Sequence, residues 1–228
     1  MTRPGVTPTP ELSVLARRGT SAVSDALDLL GEDGQVFGPG RLSGTGVVVG
    51  PAFTVRFEEV PDGESAPAAD FLDDVPPGSV VVIANQGRAC TVWGDILAEV
   101  ALARGVAGTV IDGLCRDIDG IRALDYSMWA NGAFMRSGKN RVRMAATQVP
   151  VELGPEARTV HPGAIVCADG SGVVVVPAQL VTRVAELVER IGAMEELVLA
   201  DVRAGIPLRQ ARAAHGYNSV ARRLEQQQ

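Results

Sequence analysis

The sequence predicts an α/β fold with a parallel sheet at its centre. Ser79–Ala84 is a nearly continuous apolar run with the length of a strand that is covered on both faces, and Ala107–Ile111 is predicted to be a second buried strand. Between them, Gly94–Arg104 repeats its apolar residues at helical spacing. A strand, a helix and a second strand in this order are typical of a βαβ unit, in which the two strands run parallel.

The chain is predicted to begin with a loose arm and two helices. Residues 1–8 are rich in Pro, Thr and Gly, as is typical of a flexible arm. Thr9-Pro10-Glu11 is a helix start, because Thr caps a helix, Pro is favoured in its first turn and Glu interacts well with its dipole. We expect this helix to end at Gly19. A second helix over Ser21–Leu30 is expected to end at Gly31.

The remaining elements are assigned from the alternation of apolar runs and turn residues. Before the βαβ unit we expect a glycine-rich loop over Gly38–Gly46, a strand over Val47–Phe57 broken at Gly50-Pro51, a loop over Glu58–Ala69 and a short helix over Ala68–Asp73. After it we expect a turn over Asp112–Arg116, a short helix over Ile118–Leu124 and strands over Tyr126–Met135, Val149–Leu153, Ala164–Ala168 and Val173–Val176.

The C-terminal part is predicted to be helical. Pro177–Ala204 is amphipathic, with an apolar stripe that includes Val184, Leu187 and Ile191, and a weaker helix follows Pro207. We therefore expect one domain over residues 1–228, with a core over about residues 10–205, a flexible N-terminal arm and a C-terminal tail. Helical arms would flank the α/β core at both ends.

Composition excludes several classes of function. The 228 residues carry a net charge of -6, so the chain lacks the general attraction to phosphate backbones that nucleic-acid binding needs. No apolar run reaches the roughly 18 residues of a membrane helix, and the N-terminus lacks the apolar stretch of a signal peptide. We therefore expect a cytoplasmic protein with neither a nucleic-acid nor a membrane partner.

The residue types that carry covalent and zinc chemistry are scarce. The three cysteines form no CxxC pair, which argues against a disulfide framework or a zinc-thiolate site. His161 and His215 are not at metal-ligand spacing. Lys139 is the only lysine, so any Schiff-base mechanism would have to use it.

The polar segment Asp112-Gly113-Leu114-Cys115-Arg116-Asp117 is the first candidate for chemistry. It follows the second strand of the βαβ unit, and the crossover helix opens at Gly94-Asp95. Ligands of open α/β sheets bind beyond the carboxyl ends of the strands, and a helix N-terminus offers free N–H groups to an anion. We therefore expect Asp95, Arg116 and Asp117 to lie near one another.

Two interpretations of this cluster stay open on the residues alone. A carboxylate can hold Mg²⁺ or Mn²⁺, an arginine beside it can bind an oxyanion, and a second carboxylate can act on a bound water. An Arg-Asp pair at a strand-to-helix turn is equally typical of a helix cap with a neighbouring ion pair. Asp95 alone is also an ordinary first-turn acid.

Several stretches resemble the RraA-like family, which contains 4-hydroxy-4-methyl-2-oxoglutarate (HMG/CHA) aldolases and the ribonuclease inhibitor RraA. Asp95 is followed, after twenty residues, by Arg116-Asp117, the spacing of the aldolase signature. The blocks Thr20–Leu27 and His161–Pro177 are also similar to the family. The resemblance covers about residues 10–205 and implies a swivelling β/β/α domain that forms homotrimers or hexamers with sites between subunits.

The resemblance also implies a role for each site residue. Asp117 would bind the divalent cation (Mg²⁺ or Mn²⁺), Arg116 would contact the keto or carboxylate oxygen of the substrate, and Asp95 would orient metal-bound water. The amides of Ile96 and Leu97 would receive the substrate carboxylate. An acid from a neighbouring subunit completes the family site, and Glu195 or Glu196 is the candidate. The implied activity is cleavage of a 4-hydroxy-2-keto acid to pyruvate through an enolate, with oxaloacetate decarboxylation by the same route.

Two other functions remain compatible with the family. One is a non-catalytic regulator of ribonuclease activity, as for RraA itself. The other is a repurposed enzyme that catalyses a different lyase or isomerase step. The second is suggested by departures from the family pattern in Tyr126–Asn131 and by the basic segment Trp129–Arg143. That segment is either a solvated loop or a changed wall of the substrate pocket.

Overall fold

The computed structural model describes residues 9–61, 64–66, 70–85 and 87–217. The helices are α1 (Pro10–Leu30), α2 (Asp95–Ala103), α3 (Ile118–Ala123), α4 (Val181–Arg203) and α5 (Leu208–Ala214). The strands are β1 (Gln35–Val36), β2 (Gly40–Ser43), β3 (Val48–Glu59), β4 (Val80–Ala84), β5 (Gly108–Cys115), β6 (Met128–Ala133), β7 (Val142–Thr147), β8 (Val151–Leu153), β9 (Arg158–Val160), β10 (Ile165–Ala168) and β11 (Val173–Val176).

Nine of the strands form one mixed sheet. Its order is β1-β11-β10-β3-β4-β5-β6-β2, with β7 paired to β3 beside this path. The strands β3, β4, β5 and β6 are mutually parallel, and the predicted βαβ unit is confirmed as β4-α2-β5. The remaining strands, β8 and β9, form a separate hairpin. Helices lie at both ends of the chain, as predicted.

The apolar run of β4 is buried on both faces of the sheet. Val81 and Ile83 pack with residues of α2 and α3, whereas Val80 and Val82 pack on the opposite face with Val151 and other residues of the β8–β9 hairpin. Alternate side chains of a strand point to opposite faces, so a strand covered on both sides needs apolar residues at every position. The carboxyl ends of β4 and β5 therefore lie at one edge of a sheet that is covered on both sides.

Strand β3 continues through the predicted break at Gly50-Pro51. Its first residues pair antiparallel with β10, and from Ala52 onward it pairs parallel with β4. Proline has no N–H to donate, and Pro51 stands where the strand changes its neighbour. The predicted break of the strand at Gly50-Pro51 was wrong. The proline lies where the pairing changes from β10 to β4 within one continuous strand.

Other strands also differ from the predictions. The predicted loop Gly38–Gly46 contains β2, and the predicted turn Asp112–Arg116 belongs to β5 as far as Cys115. An irregularity in the β5–β6 pairing near Gly113, whose φ is 156°, accommodates the polar residues within the strand. The strands β1, β7 and β9 were not predicted. The beginning of the predicted helix Ala68–Asp73 lies outside the described residues, and Phe71–Asp74 forms one 3₁₀ turn.

The helices at the two ends of the chain pack on each other. Helix α1 bends at Gly19, where the sequence predicted a boundary between two helices, and Gly31 ends it in the left-handed conformation. The apolar stripe of α4, including Val184 and Leu187, is buried in a cluster with α1, β10 and β11. Because the stripe is already covered within one chain, it gives no support for the predicted trimer or hexamer. The oligomeric state stays a prediction. Residues 1–8 and 218–228, the predicted arm and the end of the predicted tail, lie outside the described residues.

Within the described residues, no helix has both the length and the apolar character needed to cross a membrane. The long helices α1 and α4 carry charged residues throughout, and each uses its apolar face against the other and the sheet. This agrees with the absence of long apolar runs in the sequence.

Candidate functional site

The three polar residues singled out by the sequence lie where the βα connections meet. Residues 91–93 lead into α2 and run beside the end of β5, with Thr91 bridged to Leu114. The backbone N–H of Arg116 donates to the carbonyl of Trp93 at 3.1 Å. This contact joins the turn after β5 to the residue that precedes Gly94 and α2. Asp95, Arg116 and Asp117 are thereby brought together, as the fold argument predicted.

Gly94 is the point on which Arg116 and Asp117 converge. A Cβ atom at residue 94 would lie 2.5 Å from Asp117 Oδ2 and 3.2 Å from Arg116 Nε. Any side chain there would displace the carboxylate or the guanidinium, since real Cβ contacts are not that short. Glycine at this position allows both charged groups to lie directly against the start of α2.

The Asp117 carboxylate pairs with Arg116 but does not cap a helix. Asp117 precedes α3 with φ 57° and ψ 37°, a left-handed conformation that aspartate tolerates better than most residues. Its side chain makes no capping hydrogen bond, and its Oδ2 lies 3.1 Å from Arg116 Nε. The interpretation of Asp117 as a helix cap is therefore wrong. The ion pair between Arg116 and Asp117, the other part of that interpretation, is present. Both side chains remain more than a third exposed.

Asp95 occupies the first position of α2 and faces α3. Its Oδ1 accepts a hydrogen bond from the backbone N–H of Ile96 at 2.8 Å, and its Cβ would lie 3.2 Å from a Cβ built on Gly120. The Ile96 amide, expected to receive a substrate carboxylate, is thus already engaged by the neighbouring Asp95. Among the described residues, the Leu97 N–H has no recorded partner. Leu97 is therefore the better placed of the two predicted amides.

A cavity of about 230 Å³ opens beside this cluster. Asp95, Arg116 and the first residues of α2, including Ile96 and Leu97, belong to its lining. Phe57, Val142 and Lys139 line it as well. Asp117 lies against Gly94 and Arg116, which both line the cavity. The cluster and the cavity together offer acidic, cationic and apolar groups to one ligand.

Part of this wall was not assigned from the sequence. Phe57 comes from a segment predicted only as a strand, and no role was assigned to Thr91. Their place in the cavity depends on pairings between distant strands. Ser137, Gly138, Lys139 and Val142 belong to the basic segment Trp129–Arg143. Its interpretation as a solvated loop is wrong for the residues in β6 and β7. The feature of the sequence that indicated a wall of the cavity here was the unusual concentration of positive charge in this segment.

Glu195 and Glu196 do not reach the cluster within one chain. Both lie on α4, which packs with α1 over β10 and β11, away from the α2–α3 face of β4 and β5. Glu196 forms an ion pair with Arg18 of α1. A contribution of either glutamate from a neighbouring subunit stays a prediction, and Glu196 would have to leave Arg18 to make it.

Cys115 adjoins Arg116 but is unsuited to nucleophilic chemistry. Burial raises the pKa of its thiol to about 12, and the negative charge of Asp117 adds to the effect. The thiolate is the nucleophilic form of cysteine, so the thiol is inert near neutral pH. The chemistry of this cluster is therefore that of its carboxylates, its guanidinium and its backbone amides.

The donor groups of the cluster fit a hard divalent cation that keeps several waters. Among the described residues, no three His, Cys, Asp or Glu side chains lie together as a metal-binding group. Mg²⁺ is typically held by one or two carboxylates, with water or substrate oxygens in the other positions. Asp117 uses only Oδ2 for Arg116, and no partner is recorded for Oδ1 in the described part of the chain. The free Oδ1 of Asp117 and the nearby Asp95 supply the one or two carboxylates that such a cation needs. A cation that requires three or more protein ligands would not find them among the described residues.

Two bacterial relatives match most of the chain. Protein DlpA of Legionella pneumophila is 36% identical over 209 residues, which cover 90% of this chain but 34% of DlpA. The chain thus spans about a third of the length of that relative. A protein of Halalkalibacterium halodurans, described provisionally as a 4-hydroxy-4-methyl-2-oxoglutarate aldolase, is 32% identical over 160 residues. The match covers 69% of this chain and 72% of that protein.

Solved structures share the fold. An uncharacterised protein from Pseudomonas syringae pv. tomato has a TM-score of 0.83 and 40% identity, covering 90% of this chain and 98% of its own. RraAS2 of Streptomyces coelicolor, an unusual member of the RNase ES inhibitor RraA protein family, has a TM-score of 0.75 and 29% identity, covering 86% and 97%. These likenesses confirm the predicted RraA-like α/β fold.

The similarity includes the segments that build the cluster. A family model described as RraA-like (Aldolase/RraA) matches residues 20–175. This range contains β4, α2, β5 and the start of α3, together with Asp95, Arg116 and Asp117. Because the match covers more than half of the chain, the protein belongs to the RraA-like family.

Proposed function

We propose that this protein is a divalent-metal-dependent lyase of the aldolase type, which cleaves a 4-hydroxy-2-keto acid to pyruvate through an enolate. The observation that carries the proposal is the convergence of Asp95, Arg116 and Asp117 around Gly94 beside a cavity. The relatives described as aldolases support the same kind of reaction. The metal dependence rests on the chemistry of the two carboxylates.

Asp117 is the proposed protein ligand of the cation, and Asp95 the residue that holds water beside it. Asp117 has an open oxygen, and its Oδ2 is held in place by Arg116. The cation, when bound, would supply positive charge that polarises the keto oxygen of the substrate. The two carboxylates would in turn keep the cation at the start of α2.

Arg116 and the start of α2 are the proposed anion-binding groups. The guanidinium is planar and carries several N–H donors, so it can hold two oxygens of a 2-keto acid at once. The Leu97 N–H lies in the first turn of α2, where helix geometry leaves amides for an anion. A substrate carboxylate received there would place its keto group towards Arg116, which lines the same cavity.

The reaction breaks the bond between C3 and C4 of the substrate. The 4-hydroxyl loses its proton and becomes the carbonyl of the departing fragment, and the bonding electrons move to the keto oxygen as an enolate. Arg116 stabilises this developing negative charge with donors that are already in place. We assign to Asp95, acting through a water, the acceptance of the hydroxyl proton. Protonation of the enolate at C3 then gives pyruvate.

The same groups would support decarboxylation of oxaloacetate. Loss of carbon dioxide from C4 leaves the same pyruvate enolate, and the electrons again move to the keto oxygen near Arg116. No proton has to leave a hydroxyl in this case, so the reaction should depend less on Asp95 than aldol cleavage does. This difference separates the role of Asp95 from that of Arg116.

The direct test is pyruvate release from a panel of 4-hydroxy-2-keto acids and from oxaloacetate. Each substrate is assayed with Mg²⁺, with Mn²⁺ and after removal of divalent ions with a chelator. The proposal expects pyruvate from at least one 4-hydroxy-2-keto acid, loss of release with the chelator and recovery on adding metal. Absence of pyruvate from every 4-hydroxy-2-keto acid under all three conditions would exclude the aldolase proposal.

Two alternative functions share the fold. The likeness to RraAS2 favours a ribonuclease regulator as the second candidate, and inhibition of a ribonuclease by the metal-free protein would support it. A lyase or isomerase acting on a different acid is the third, suggested by the part of the basic segment Trp129–Arg143 that lines the cavity, which includes Lys139. Turnover of a 2-keto acid without pyruvate release would identify that case.

A further inference from the structure

We propose that the stacked side chains of Trp93 and Tyr126 are positioning residues for Arg116. Their ring centroids lie 6.1 Å apart, with 12° between the ring planes. The inference rests on the proposed function for the role of Arg116 as the group that binds the oxyanion of the substrate. It adds that the strength of this anion binding depends on a buried aromatic pair, of which Tyr126 does not line the cavity.

Trp93 holds the turn that carries Arg116 through its backbone carbonyl. This oxygen accepts the Arg116 N–H at 3.1 Å and lies 3.5 Å from Cys115 Sγ. Trp93 also directly precedes Gly94, against which the side chains of Arg116 and Asp117 lie. A movement of Trp93 would therefore displace both the acceptor of the Arg116 N–H and the glycine on which the two charged groups converge.

Tyr126 holds the indole ring of Trp93 from the side of the core. Both side chains are almost fully buried. The Tyr126 hydroxyl forms a buried hydrogen bond of 2.8 Å with Thr109 Oγ1, and Thr109 belongs to β5. Stacked aromatic rings prefer a defined relative position, so a ring that is fixed on one side restricts its neighbour. The contacts thus run from β5 through the two rings to Arg116.

Packing alone does not explain the indole of Trp93. Its Nε1 atom is buried and has no hydrogen-bond partner among the described residues. A buried donor without a partner lowers stability, and local costs of this kind are typical of functional sites. Trp93 lines the same cavity as Arg116. The residue therefore combines a cost in stability with a place beside the anion-binding group, as expected of a positioning residue.

A second stacked pair in the same apolar cluster provides a matched control. Phe53 and Phe71 lie 6.3 Å apart with 16° between their ring planes, and both are buried. They belong to the same core cluster as Trp93 and Tyr126, but neither phenylalanine lines the cavity. Loss of a ring from either pair should lower stability, whereas only loss from the first pair should affect anion binding by Arg116.

The experiment measures anion binding without turnover. Oxalate, a planar dianion that resembles the enolate of pyruvate, is titrated into the protein by calorimetry in the presence of Mg²⁺. In Tyr126→Leu we expect the affinity to fall about tenfold, the effect of misaligning one hydrogen bond to a charged group. Phe71→Leu should keep the wild-type affinity even though its urea midpoint falls. Tyr126→Phe keeps the stacked ring and should also keep the affinity.

Trp93→Phe is the second variant, chosen because it should fold even if Tyr126→Leu does not. It removes the unpaired N–H together with part of the ring, so its stability should change little while the affinity for oxalate falls. Wild-type affinity in a folded Trp93→Phe or Tyr126→Leu protein would overturn the assignment. An equal loss of affinity in Phe71→Leu would overturn it as well, because the effect would then be one of core stability.

A double-mutant cycle tests whether the ring pair acts through Arg116. Oxalate affinity is compared between Arg116→Ala and the double variant that also carries Tyr126→Leu. If Tyr126 acts only by positioning Arg116, its replacement should have no further effect once the guanidinium is absent, because the effects of coupled residues do not add. An undiminished loss on adding Tyr126→Leu to Arg116→Ala would exclude a positioning role.

Two outcomes separate this inference from the proposed function. If Tyr126→Leu weakens oxalate binding through Arg116 but no 4-hydroxy-2-keto acid releases pyruvate, the lyase proposal fails and the positioning assignment stands. If pyruvate is released with the same kcat by Tyr126→Leu and by wild-type protein, the positioning assignment fails alone. Oxalate binding that is no tighter in wild-type protein than in Arg116→Ala would remove the anion-binding role of Arg116, and the inference would fall with it.

Discussion

The Asp117 carboxylate lies directly against the backbone of Gly94, so close that a Cβ at residue 94 would be 2.5 Å from Asp117 Oδ2. The contact joins the start of α2 to the turn that follows β5, two segments that are separated in sequence by the whole of α2 and β5. The geometry of the cluster therefore depends on a residue that carries no functional group.

Replacing Gly94 with alanine tests this dependence. The added methyl group must displace the Asp117 carboxylate or Arg116, so we expect pyruvate release to fall by about 10², as is common for small misplacements of reacting groups. Stability should fall by about 1–3 kcal/mol at most, the usual effect of one extra carbon in a packed site. Gly40→Ala is the matched control, because nothing lies within 4 Å of a Cβ at that position. Full activity in Gly94→Ala would show that the close contact is dispensable.

Asp117→Asn tests the proposed metal ligand with almost no change in shape. Asparagine tolerates the left-handed conformation of residue 117 as well as aspartate does, so the fold should be retained. We expect loss of metal-dependent activity and weaker Mn²⁺ binding, measured by calorimetry and by the electron paramagnetic resonance of the ion. Unchanged Mn²⁺ affinity in a folded Asp117→Asn variant would remove Asp117 as the ligand.

Asp169 is predicted to link stability to pH. Burial alone would raise the pKa of its carboxyl, but hydrogen bonds from Thr20 and Ser171 outweigh burial and leave the pKa below its usual value. A carboxyl whose folded pKa is depressed stabilises the protein above its unfolded pKa of about 3.9, and the contribution is lost as the pH falls through the folded pKa. Asp169→Asn should therefore destabilise the protein by about 1–3 kcal/mol at pH 7.

Urea unfolding across the acid range measures the effect. The difference in unfolding free energy between wild type and Asp169→Asn should shrink as the pH falls from about 5 through the folded pKa, because the carboxyl is protonated first in the unfolded chain and only later in the folded protein. Asp33→Asn, on an exposed residue with one long ion pair to Arg158, should behave like wild type. A difference that does not vary with pH would show that the charge of Asp169 contributes nothing to stability.

The elements that the sequence predicts best are those determined by local chemistry. Thr9 caps α1, Gly31 ends it, and the two apolar runs form parallel strands around α2. Once those strands are known to be parallel, their carboxyl ends must share an edge. For this reason the grouping of Asp95, Arg116 and Asp117 could be predicted before the structure was known.

Features that depend on long-range pairing could not be predicted in the same way. The exchange of partners along β3 at Pro51 and the pairing of β7 with β3 join segments that are distant in sequence. The place of Lys139 in the cavity follows from such pairings. Likewise, the engagement of Glu196 by Arg18 depends on how α4 packs on α1, which helical periodicity does not specify.

The turnover of Arg116→Lys tests most directly whether the cluster around Gly94 is where the enolate charge is stabilised. Lysine keeps the positive charge beside Asp117 but cannot present two parallel N–H donors to an oxyanion. We predict that kcat for pyruvate release at saturating Mg²⁺ falls by about 10²–10³, the usual effect of losing one donor to a developing oxyanion. Mn²⁺ affinity should be little changed. A kcat close to that of wild type would contradict the account and leave Arg116 as a structural partner of Asp117.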